Sequence, residues 1–76
     1  MTLREIFEHY GVTQQMLVQR FAMKRQYPSL LWTGKRRLGH RLGKRIADAF
    51  DIPVEELLYP EDIDTPRFPR RTPPDT

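Results

Sequence analysis

Cysteine is absent from the 76 residues, which excludes a disulfide staple and any thiolate metal site and fits a reducing compartment. No apolar run approaches the length of a membrane span, and the first residues lack the apolar core of a signal peptide, so a soluble, cytoplasmic protein with no membrane partner is expected. Acid is missing where it would matter most. Between His9 and Ala47 there is no Asp or Glu, whereas the same window carries Arg20, Lys24, Arg25, Lys35, Arg36, Arg37, Arg41, Lys44 and Arg45. A solvated surface ordinarily mixes both signs because unpaired like charges repel. The net charge of +3 therefore hides a basic centre between acidic flanks, and a polyanionic partner explains it better than solvation alone.

What is present reads as helix. Thr2-x-x-Glu5 is a capping box flanked by a staple pair, Met1 and Ile6, and Leu3, Ile6, Phe7 and Tyr10 recur at helical spacing before Gly11. This predicts a helix over 3–10. Thr13 caps a second helix over 14–21, with Val12 and Leu17 as its staple. After "AMKRQY" comes the apolar cluster Leu30, Leu31 and Trp32, closed by Gly34. A fourth helix runs from His40 to Phe50, and "DIPVEELLY" forms a short fifth with Pro53 at its first position and Pro60 as its stop. The fold expected is all-α, a compact bundle of five short helices over residues 1–59. From Pro60 to Thr76 the chain carries five prolines and few apolar residues, so an extended or disordered tail is expected.

Pro28 bears on where the third helix begins. With Pro28 at the first helical position its missing N–H is no loss, and Tyr27 before it is pushed toward extended geometry. That favours a start at Pro28, with Lys24 to Tyr27 as a long turn. The alternative starts the helix near Arg25 and gives up one hydrogen bond at Pro28.

Helix two, a turn and helix three have the spacing of a helix-turn-helix, in which one helix is held on phosphate while the next meets base edges. The segments "VTQQMLVQRFAMKRQYPSLLWTGKRR" and "RIADAFDIPVEELL" resemble the Cro and lambda-repressor-like (Xre-type) helix-turn-helix family. Thr13, Gln14, Leu17, Gly34, Lys35, Ile46, Ala47, Ala49, Ile52, Glu56 and Leu57 stand in register with its pattern. Three positions depart from it: Ala22 replaces the turn glycine, Pro28 a buried aliphatic residue, and Trp32 the usual Glu. A left-handed Ala22 would cost about 1 kcal/mol. For Trp32, packing into the room left by Gly43 is expected.

The resemblance implies a sequence-specific regulator, in the first instance a repressor, that binds double-stranded DNA through the major groove as a homodimer on a palindromic operator. It places Arg25, Gln26, Ser29 and Leu30 at base edges, and Gln14, Lys35 and Arg36 on phosphate. The basic turn adds Tyr27 as a base contact and Lys24 as a phosphate contact, and Arg37 and Arg41 extend the phosphate set. Leu58, Tyr59 and Ile63 are candidate dimer residues. An antitoxin-like module that binds another protein through the helical domain and Pro-rich tail is the alternative, and shape-directed RNA binding a further one. No cofactor, metal site, small-molecule substrate or catalysis is expected, since His9 and His40 are isolated and Ser29 has no neighbouring base.

Overall fold

A computed structural model describes residues 1–69. These form five α-helices: α1 (Leu3–His9), α2 (Gln14–Phe21), α3 (Gln26–Trp32), α4 (His40–Phe50) and α5 (Val54–Leu58). A 3₁₀ turn at Pro60–Asp62 follows, and there are no strands among the described residues.

Local signals account for the ends of most helices. The Thr2 hydroxyl accepts from the Glu5 N–H while the Glu5 carboxyl accepts from the Thr2 N–H, at 3.2 and 3.0 Å. The Thr2 N–H first, and then the Thr2 side chain, hold the Glu5 carboxyl below its ordinary value. Gly11 and Gly34 adopt φ of +72° and +78°. Each lets the following N–H reach back to the helix: Val12 N to Phe7 O at 2.8 Å, and Lys35 N to Leu30 O at 3.0 Å. Ala22 ends α2 in the same left-handed region, with φ 53° and ψ 39°, as the position of the turn requires. Asp51 does so after α4 with φ 55°. Pro53 is the residue before α5 rather than its first helical one.

The core is Ile6, Phe7, Tyr10, Val12, Leu17, Leu31, Leu38, Ile46, Ala47, Phe50, Ile52 and Leu57. Two expectations are corrected there. The third helix does not start late. Gln26 is its first residue, so Pro28 lies in the first turn, where an N–H has no partner inside the helix in any case. Its ring is buried beside Leu31, on the inward face. A proline is compatible with any position of a first turn, so Pro28 does not by itself fix where α3 starts. Nor does Trp32 sit over Gly43. Its indole stacks on Phe7, with centroids 4.8 Å apart and planes at 9°, and Leu58 takes the room at Gly43, where an added Cβ would meet Leu58 Cδ2 at 2.7 Å. Leu58 is thereby half-buried within its own chain.

Residue 59 is not a structural break. The Arg67 N–H donates to Glu56 Oε2 at 3.1 Å, the Phe68 N–H to the Tyr10 hydroxyl at 3.4 Å, and His9 Nε2 is 2.8 Å from the Phe68 carbonyl. Upstream, the Met1 amino group donates to the Pro60 and Ile63 carbonyls. Through residue 68 the segment is therefore a strap against α1 and α5, not a separate extended tail. The remainder of the expected tail, residues 70–76, lies outside the described residues.

Candidate nucleic-acid interface

Helix α2 buries Leu17 and half-buries Phe21, which turns Gln15 and Gln19 toward the opposite side, with Val18 half-buried on the flank and Gln14 exposed as the first residue of the helix. At its N-terminus the Thr13 hydroxyl accepts only from the Met16 N–H, at 3.2 Å. The side chains of Gln14 and Gln15 start beside that first turn and are exposed. Between α2 and the entry to α3 lies an open depression of about 550 Å³, lined by Gln14, Gln15, Val18, Gln19 and Arg25. Gln14 and Arg25, expected on phosphate and on base respectively, are thus brought to one surface.

On α3 the inward residues are Pro28 and Leu31. At about 100° per residue, Gln26, Ser29 and Leu30 occupy the outward ridge, and Arg25 stands at its near end. Gln26 and Ser29 are exposed and Leu30 is half-buried. Tyr27 is set apart from this ridge. It is half-buried, faces a hollow shared with Phe21, Met23, Lys24 and Leu42, and lies under Arg36, whose guanidinium carbon is 5.2 Å from its ring centroid. A cation over an aromatic face fixes both groups. Tyr27 therefore orients Arg36 at the edge of the surface rather than standing among the ridge side chains.

Lys35 and Arg36 follow the Gly34 cap, and both of their N–H groups bond to the Leu30 carbonyl, at 3.0 and 3.3 Å. Their side chains leave the C-terminal end of α3 exposed, as does that of Arg41 in the first turn of α4. Arg37 does not join them. Its exposed guanidinium pairs with Glu61 of the 3₁₀ turn, so a phosphate contact there would have to displace that carboxylate.

The ion pairs among the described residues are Arg4–Glu8, Arg37–Glu61 and Arg67–Glu55. Of the nine cations in the acid-free window, then, only Arg37 has an acidic partner among the described residues. Arg20 and Arg45 lie over the rings of Phe50 and Phe21, at 5.2 and 5.9 Å. By the same helical geometry, Arg20 is on the far side of α2 from the glutamines. The basic block is thus divided between two faces, which its linear order did not reveal.

Gln15, Val18 and Gln19 were missed as site residues. Their signal was available: 14/18 and 15/19 are i, i+4 pairs that continue the Gln14 face inside the acid-free window. No group of three or more metal-ligating side chains occurs among the described residues, and none of their helices is long and apolar enough to cross a membrane. No protein-family model, curated protein or solved structure matches this chain.

Proposed function

We propose that this protein is a sequence-specific regulator that binds double-stranded DNA with a helix-turn-helix made of α2, the Ala22 turn and α3. In this reading Gln14 and the first turn of α2 rest on phosphate. Arg25, Gln26, Ser29 and Leu30 enter the major groove, where Arg suits guanine and Gln suits adenine through paired hydrogen bonds. Lys24, Lys35, Arg36 and Arg41 grip the flanking backbone, and Gln15 and Gln19 add to the floor between the two helices. One module spans too few base pairs to specify a site, so two copies on a palindromic operator complete the reading, with repression following from occupancy.

The supporting observation is the shared depression of Gln14, Gln15, Gln19 and Arg25, set within a window whose cations, all but Arg37, have no acidic partner among the described residues. A protein that used those charges only for its own stability would pair them.

The test is fluorescence anisotropy with DNA from upstream of its own coding sequence against random duplex, repeated across salt. If four to six cations per subunit neutralise phosphates, affinity should fall roughly 150- to 2,000-fold between 50 and 200 mM salt, at a slope of about −0.9 per contact. Binding that barely responds to salt, or equal affinity for both duplexes, would overturn the proposal.

A further inference from the structure

A concavity distinct from the α2–α3 depression carries both apolar and cationic groups. Between the start of α1, the end of α3 and the junction of α5 with the 3₁₀ turn is a cavity of about 420 Å³. Its apolar wall includes Leu31, Trp32, Leu38 and Leu57, of which Leu31 and Leu57 are each 1% exposed. The charged side chains of its lining are mostly cationic: Arg4, Arg36 and Arg37 against a single acid, Glu61. Arg4 is bound to Glu8 at 2.9 Å, and Arg36 lies over Tyr27. Arg37 is held by Glu61 at the mouth, where their side chains are 79% and 53% exposed.

We infer that this cavity binds a small amphipathic anion, an aliphatic or arylalkyl monocarboxylate. Its chain lies along Trp32 and the leucines, and its carboxylate takes Arg37 from Glu61. The volume falls in the range of small-molecule sites, and an apolar wall with few polar groups is their usual make-up. The charge decides the class. A guanidinium presents a planar fork that fits a carboxylate, and Glu61 already places a carboxylate on Arg37 at this position. Because that pair is exposed, little is lost when one carboxylate replaces another. A neutral hydrophobe would find the wall but not the fork, and a phosphate would find the fork but not the wall. Arg36 and Arg37 border the cavity while Arg36 also belongs to the proposed DNA surface, so occupancy has a direct route to that surface. The binding site itself does not depend on the DNA reading.

Trp32 is the only tryptophan of the chain and lines the cavity, so its emission reports occupancy without DNA. Sodium octanoate is titrated at constant ionic strength, with 1-octanol as the uncharged control. Octanoate should give a saturable emission change at low-millimolar concentration, as expected for a ligand of its size. Octanol at matched concentration should give little. Two variants then move in opposite directions. Arg37→Gln removes the fork and should weaken octanoate about two- to fivefold, the equivalent of one exposed ion pair. Glu61→Gln removes the resident competitor and should tighten octanoate several-fold. Both positions are exposed, and circular dichroism confirms that each variant is folded. No saturable response, an equal response to octanol, or a Glu61→Gln variant weakened like Arg37→Gln would each overturn the inference.

Discussion

Tyr10→Phe is the substitution that most sharply tests how the chain is held together. The Tyr10 hydroxyl donates to Glu56 Oε1 at 2.8 Å, in a site where Tyr10 is 3% and Glu56 2% exposed. The same hydroxyl accepts from the Phe68 N–H, and the other Glu56 oxygen accepts from the Arg67 N–H. Phenylalanine keeps the ring and nearly all the buried apolar area, so the change isolates the polar contribution. A buried carboxyl oxygen left without its donor costs about 1.5–3 kcal/mol. For a domain of this size each kcal/mol moves the melting midpoint about 4–8 °C, so a cost of about 2 kcal/mol lowers it by roughly 8–16 °C. Truncation after Asp64 removes the Arg67 and Phe68 contacts and should cost about 1–2 kcal/mol, because the strap buries little apolar surface. The two changes act on one network, so the double variant should be less destabilised than the sum of the two. Urea and thermal melts followed by circular dichroism measure all three proteins. A Tyr10→Phe cost under about 0.5 kcal/mol, or full additivity with the truncation, would refute a shared buried node.

Three other outcomes follow from particular geometries. Arg25→Ala should cost about 1–3 kcal/mol on cognate DNA and relax preference at one base position, whereas Lys35→Ala should weaken cognate and random duplex alike; competition anisotropy on a site library separates the two, and the reverse pattern would exchange their roles. Pro28→Ala should leave helix content and DNA affinity unchanged and destabilise by about 1–2 kcal/mol, since two buried ring carbons are lost and no helix bond is regained within the first turn; a gain near 3 kcal/mol in a denaturant melt would place Pro28 in a helix interior instead. Ala22→Gly should stabilise by about 0.5–1 kcal/mol, as relief of the left-handed alanine outweighs the added freedom of the unfolded chain, and a lower melting midpoint would count against that backbone conformation.

The starts of α1 and α2 and the ends of α1 and α3 were legible in the residues alone, because a cap is a local event. Thr2 with Glu5, Thr13, and the glycines at 11 and 34 each act within four residues of chain, and no distant partner is needed to read them. The outward face of the candidate site was legible for the same reason. Helical spacing from Gln14, or from Gln26, assigns a side to every neighbour once the buried residues are known. The start of α3 was not, because Pro28 is compatible with several positions of a first turn; packing Pro28 and Leu31 inward together chose among them. Trp32 had two partners of suitable size, and the stack on Phe7 prevailed because α1 lies against α3 while Leu58 fills the space at Gly43. The strap was the least visible feature. Its bonds join Tyr10 to Glu56, Arg67 to Glu56 and Phe68 to His9, two of them across more than 40 residues, so its composition reads as polar and proline-rich. Contacts of that separation form only after the helices have closed the intervening loops, and no local pattern records them. The same holds for the pairing of Arg37 with Glu61, which set a carboxylate beside one cation of the basic block.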